Sequence, residues 1–222
     1  MIKGIIFNMD GVLVNSEELY DKYLYKFFKN LSAEVDQEFL DSYRGTATKY
    51  FVKAIVEKHN ISIIPEDKIL KMFNEGVNLI YTQHPKLKLN KGVLDWLEFF
   101  YKNNYKMTMV SSTITENIEE VIEKFGLEKY FNNYIGGDMV EKAKPEPEIF
   151  IKAANLLELN PEECLVIEYS TNGLKAAKAA GCKTIGYLCE GHNYQDLKLS
   201  DLVFDKFGEE KIPMLEKFLK MI

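Results

Sequence analysis

The sequence predicts an α/β fold: a doubly wound parallel sheet, Rossmann-like in its alternation, with an all-helical segment inserted after the first strand. Short apolar runs that end in polar residues or glycine recur along the chain, as buried strands do. Helical patterns separate those runs from about residue 91 onward, which implies a parallel sheet covered on both faces. Between residues 16 and 84 every pattern has helical spacing and no convincing strand is found.

Residues 3–7 (KGIIF) form the first strand and break into Asn8-Met9-Asp10-Gly11. Later strands are expected at 106–110, 164–167, 184–187 and 202–204, with a weaker one near 134–136. The intervening helices fall at 92–101, 116–125, 146–157, 172–180 and 209–221. In the insert, helices are expected at 17–28, 37–43, 48–59 and 65–81, where Leu19, Tyr23, Phe27 and Phe28 share one face. The resulting division is a core of residues 1–15 and 85–222 and an insert of residues 16–84. The chain must cross between them at 11–16 and 82–91.

Composition narrows the function. With 28 Lys plus Arg against 34 Asp plus Glu, the formal charge is −6, which argues against nucleic acid or an anionic membrane surface as a partner. No apolar run approaches the ~18 residues of a membrane span, and the start has no long apolar leader. The odd number of cysteines, none in a C-x-x-C pair, disfavours a disulfide framework or zinc ribbon. His59, His84 and His192 lack metal-ligand spacing. A cytoplasmic location and a monomer are expected. Arg44 is the sole arginine.

Open parallel sheets bind ligands beyond the carboxyl ends of their strands. The polar residues there are Asn8 and Asp10 after the first strand, and Ser111, Ser112 and Thr113 after the second. Lys144 follows the third, and Glu168, Tyr169 and Ser170 the fourth. A carboxylate, hydroxyls, a lysine and a second carboxylate on one edge suit a phosphate and a cation. Each has a plainer alternative: Asp10 bracing an Asp-Gly turn, Ser111 capping a helix, Lys144 solvated, Glu168 facing a helix dipole. Ser170 and Asn172 suit capping and loop bracing.

In these stretches the chain resembles the haloacid dehalogenase-like hydrolases, in their β-phosphoglucomutase and sugar-phosphate phosphatase branch. The matching segments are 5–17 (IIFNMDGVLVNSE), 109–112 (MVSS), 144–150 (KPEPEIF) and 165–181 (LVIEYSTNGLKAAKAAG). The resemblance makes the sheet a hydrolase core and the insert a cap domain. It implies a Mg2+-dependent phosphatase of small phosphorylated metabolites, sugar phosphates above all, or a phosphosugar mutase. It also implies an aspartate nucleophile at position 8, an acid/base at Asp10, and phosphoryl contacts from Ser111 and Lys144. Magnesium would be held at 168 and 169 together with positions 8 and 10. Arg44 and Gly45 fall where the branch has its substrate-specificity loop, and Ser112 lies beside the substrate.

The chain departs from this pattern at two positions. Asn8 offers a neutral amide where a carboxylate would attack phosphorus, and an amide is a very poor nucleophile. Tyr169 offers a phenol, with a reference pKa of ~10, where a second acidic ligand is implied. Magnesium binding is therefore expected to be weakened or absent, and turnover through an aspartyl-phosphate impaired. A catalytically silent phosphometabolite-binding protein is the competing reading. Tyr20, standing where the mutases resembling this chain carry a histidine, favours a phosphatase-type ancestor over a mutase.

Overall fold

The computed structural model describes residues 1–191 and 195–222. Six parallel strands form one sheet: β1 (Gly4–Asn8), β2 (Lys106–Val110), β3 (Tyr134–Ile135), β4 (Cys164–Glu168), β5 (Lys183–Tyr187) and β6 (Leu202–Phe204), in the order β3-β2-β1-β4-β5-β6. Strand order reverses between β1 and β4, so a switch point lies at their carboxyl ends. Asn8 and Glu168 are the last residues of these strands, which run one residue further than expected, because Asn8 still pairs with Val110 and Glu168 with Gly186.

Alternation along each strand divides the apolar residues between two faces. Ile5 and Phe7 of β1, Met107 and Met109 of β2, and Leu165 and Ile167 of β4 join one buried cluster. Ile6, Val110 and Val166 join the other. The first cluster includes α5 (Val93–Lys102) and α6 (Thr115–Phe125); the second is closed by α7 (Glu148–Leu156) and α8 (Thr171–Ala180). Both faces are covered, so the strands read as continuous apolar runs. The last helix is shorter than its sequence pattern: α9 spans Ile212–Leu219, preceded by a 3-10 turn at Glu209–Lys211. Pro213 fits this start, since its missing N–H has no partner in a first helical turn.

Four helices fill the insert: α1 (Glu17–Asn30), α2 (Gln37–Tyr43), α3 (Thr48–Lys58) and α4 (Glu66–Gln83). They pack around Phe73 of α4, whose ring lies 5.2–5.8 Å from those of Tyr20, Tyr23, Phe27 and Phe28. Full burial of the Phe28 and Phe73 rings contributes about 1.5–3 kcal/mol each. The two crossing segments are tied to each other. Asn15 N donates to Lys88 O at 3.0 Å, Lys88 N to Asn15 Oδ1 at 2.7 Å, and Asn90 N to Leu13 O at 2.8 Å. Among the described residues, no helix is long and apolar enough to cross a membrane.

Candidate functional site

The carboxyl ends of β1 and β4 and the loop before α7 converge on Lys144. Its ammonium lies 3.1 Å from Asn8 Oδ1 and 2.7 Å from Glu168 Oε1, and all three residues are buried. Asn8 Nδ2 donates to Asp10 O at 2.7 Å, so the amide is held at both ends. The other oxygen of Glu168, Oε2, accepts the Tyr169 and Ser170 amides at 2.6 Å each and Ser170 Oγ at 3.0 Å. The carboxylate packs against the first turn of α8, where a Cβ at Gly173 would stand 1.9 Å from Glu168 Oε1. Only glycine admits that approach.

Asp10 collects three hydroxyls. Ser16 and Tyr81 donate to its Oδ1 at 2.6 Å each, and Ser111 donates to its Oδ2 at 2.7 Å. Ser111 does not cap α6, whose N-cap is Ile114; its Oγ instead accepts Thr113 N at 3.1 Å. Ser170 does cap α8, accepting Gly173 N at 3.0 Å. Asn172 braces the insert by donating to Ser42 O at 3.0 Å and Arg44 O at 2.9 Å. Burial, and then Asp10, push the Tyr81 phenol well above the usual tyrosine range.

Tyr169 turns away from the Lys144 cluster. Its ring lies over Gly11 (φ +72°), where a Cβ would come within 2.9 Å, and its hydroxyl meets Glu17. Burial chiefly raises its pKa well above the ordinary phenol value. Glu17 also meets Arg44 Nη1, while Arg44 Nη2 takes both oxygens of Asp21 at 3.0 and 2.9 Å. The guanidinium fork expected to meet a substrate meets the protein's own carboxylates. Ser112 Oγ donates to Gly45 O at 2.6 Å, closing the insert loop onto the sheet.

These groups border a cavity of about 70 Å³ between insert and sheet. Asn8, Asp10, Arg44, Gly45, Ser112 and Tyr169 all contribute to its wall. Of the residues read as chemical in the sequence, these six border the cavity, Ser111 joins them through Asp10, and Lys144 and Glu168 form the sealed cluster beside it. Four participants were given no role by the sequence. Tyr81, Ser16 and Asp21 belong to helical or loop patterns whose polar atoms carry no motif of their own, and Glu17 only closed the matching segment 5–17. His192 lies outside the described residues.

Magnesium asks for near-octahedral oxygen ligation. Here Asn8 Oδ1 and Glu168 Oε1 already accept Lys144, Glu168 Oε2 accepts three N–H or O–H donors, and Asp10 O accepts the Asn8 amide. Tyr169, the remaining position, presents a buried phenol to Glu17. This donor set does not fit a magnesium ion: a fixed ammonium and an amide N–H stand at the oxygens that would coordinate it.

A parallel sheet whose switch-point rim gathers a carboxylate, hydroxyls and a lysine beneath a helical insert defines a doubly wound α/β protein with a polar site at its switch point. Residues 5–187 match the family described as haloacid dehalogenase-like hydrolase, and the chain belongs to that family. A phosphorylated carbohydrates phosphatase of Thermotoga maritima is 29% identical over 184 residues, covering 83% of this chain and 84% of that protein. Among solved structures, an Asp-to-Asn mutant of CbbY from Rhodobacter sphaeroides in complex with xylulose-1,5-bisphosphate superposes with a TM-score of 0.81. It is 26% identical and covers 94% of this chain and 96% of that one. A β-phosphoglucomutase from Clostridium difficile, at 23% identity, shares the fold with a TM-score of 0.82 over 98% of this chain and 96% of its own.

Proposed function

We propose that this chain binds a small phosphorylated metabolite of the sugar-phosphate class under its helical insert, and that in its present sequence the aspartyl-phosphate route of its family is closed. The observation that carries this reading is the Asn8 amide, fixed between Lys144 Nζ at 3.1 Å and Asp10 O at 2.7 Å. An amide so held has neither the charge nor the freedom to attack phosphorus. Residues 16–84 act as the cap and residues 1–15 and 85–222 as the core. Ser111 and Ser112 meet the phosphoryl group, Lys144 joins them once the ligand draws its ammonium away from Glu168, and binding does not depend on magnesium.

The cavity of about 70 Å³ is smaller than the roughly 300–1,000 Å³ of typical ligand pockets. A ligand is therefore admitted when the insert swings away, releasing the Ser112–Gly45, Asn172–Arg44 and Tyr81–Asp10 contacts. Calorimetric titration of the full chain with glucose 6-phosphate in EDTA tests the reading. Saturable binding without hydrolysis of an aryl phosphate is expected. Magnesium-dependent turnover of the aryl phosphate by the unmodified chain would overturn it.

A further inference from the structure

Lys144, Asn8 and Glu168 are 2%, 4% and 1% exposed, so an amine, a carboxamide and a carboxylate meet away from bulk water. Lys144 Nζ lies 2.7 Å from Glu168 Oε1 and 3.1 Å from Asn8 Oδ1. A carbonyl bond is about 1.23 Å long, which places Nζ within about 4.3 Å of the Asn8 carbonyl carbon. Reacting atoms in a near-attack pair stand about 3–3.5 Å apart, a separation that a small turn of the flexible lysine stem reaches. The other contacts hold both partners still. Glu168 Oε2 accepts Tyr169 N, Ser170 N and Ser170 Oγ, which leaves Oε1 to handle protons. Asn8 Nδ2 is fixed on Asp10 O at 2.7 Å, so the carbonyl is the end of the amide presented to the lysine. The buried Phe150 ring stands 5.1 Å from Nζ and keeps the surroundings apolar.

The desolvation penalty of a buried ion pair can exceed its Coulombic gain, and passing one proton from Nζ to Oε1 makes both groups neutral. A desolvated neutral lysine is a nucleophile. We infer that Lys144 and Asn8 join in an intramolecular amide bond, with Glu168 carrying the protons and ammonia leaving. The Nζ lone pair freed by Glu168 attacks Asn8 Cγ and forms the new N–C bond. Glu168 returns its proton to Nδ2, the Cγ–Nδ2 bond breaks with its electron pair on nitrogen, and ammonia departs. A second Nζ proton passes to Glu168, and the third remains on the new amide. The balance needs no co-reactant, and fixed geometry supplies an effective molarity of about 10⁵–10⁸ M. The inference stands on the unliganded geometry, whatever ligand the cavity takes. A ligand that draws Nζ away from Glu168 holds the bond off. Once formed, the bond takes the ammonium out of the site and leaves Ser111 and Ser112.

Intact mass spectrometry of the full chain, followed without ligand at neutral pH after purification, tests this. The mass is expected to settle one ammonia below that of the sequence, and trypsin should release residues 4–22 joined to residues 143–152. A chain that keeps its sequence mass on prolonged incubation would overturn the inference. So would loss of ammonia with the two peptides still separate, the signature of an asparagine succinimide. A chain held unfolded in urea should stay unlinked, because the three side chains no longer meet; linkage there at the same rate would refute the geometric cause. Glu168→Gln keeps the shape but cannot take up the proton, and should stay unlinked. A folded Glu168→Gln chain that links as fast as the unmodified one would refute Glu168 as the proton carrier. If that variant does not fold, the peptide map of the unmodified chain decides.

Discussion

The phenolic oxygen of Tyr81, near the end of α4, lies 2.6 Å from Asp10 Oδ1 just beyond β1, joining insert and sheet across 71 positions of sequence. Ser16 and Ser111 donate to the same carboxylate, so the aspartate is held by the crossing segment, the second strand's loop and the insert at once. Tyr81 is the one of the three that belongs to a helix of the insert.

Tyr81→Phe removes that tie and leaves the ring in place. One hydrogen bond to a charged group is worth about 1.5–3 kcal/mol, and Asp10 keeps two donors, so the stability loss in urea should lie at the low end of that range. Amide exchange in α4 should rise by more than in α7, which lies on the opposite face. Uniform exchange changes across both helices would contradict this role.

Lys144 and Glu168 are each 1% exposed in their side chains and 2.7 Å apart. Lys144→Met strands a carboxylate in the interior, and breaking such a buried pair costs about 3–5 kcal/mol. Lys144→Met combined with Glu168→Gln removes both charges and should recover at least half of the loss. Equal destabilisation in the single and double variants, by chemical denaturation, would show that the charge pair is not the cause.

Restoring carboxylates tests the site chemistry. Asn8→Asp alone places a second acid beside Glu168 and Lys144 while Tyr169 still covers Gly11, and should give no magnesium-dependent hydrolysis of p-nitrophenyl phosphate. Asn8→Asp with Tyr169→Asp should raise turnover at least about a hundredfold over the unmodified chain, because losing a nucleophile costs orders of magnitude in rate. Full activity from Asn8→Asp alone would show that Tyr169 is no obstacle.

Alkaline pH should unfold the protein early. Burial pushes the Cys164 thiol up to about 11 and the Cys182 thiol up to about 12, with Tyr23 and Tyr187 also at about 12. These groups keep their protons in the folded state to higher pH than in the unfolded chain. Their contribution is therefore complete below the unfolded pKa, near 9 for the thiols and 10 for the phenols, and is lost as pH rises through the folded values. Each costs about 1.4 kcal/mol per pH unit within its window. The urea midpoint should be level between pH 7 and 8.5 and fall steeply from pH 9 to 11. A flat profile to pH 11 would refute the shifts.

Strand and helix order were legible in the sequence because local physics sets them. Runs such as residues 3–7 are short, apolar and end in polar residues and glycine, which marks them as buried strands. The period of the insert helices left no room for a strand. Site membership was legible for a related reason: in a parallel sheet every strand's carboxyl end reaches the same rim, so Asn8, Asp10, Ser111 and Glu168 had to meet once the strands were placed. Partnership was not. Whether Arg44 faced a ligand or Asp21 depended on packing within the insert, whether Lys144 was free or sealed against Glu168 on how the loop before α7 folds over β4, and whether Tyr81 reached Asp10 on how the insert settles over the sheet. Those contacts join residues 23, 24 and 71 positions apart, and side-chain pairing over such spans is fixed by packing, which leaves no local signature in the chain.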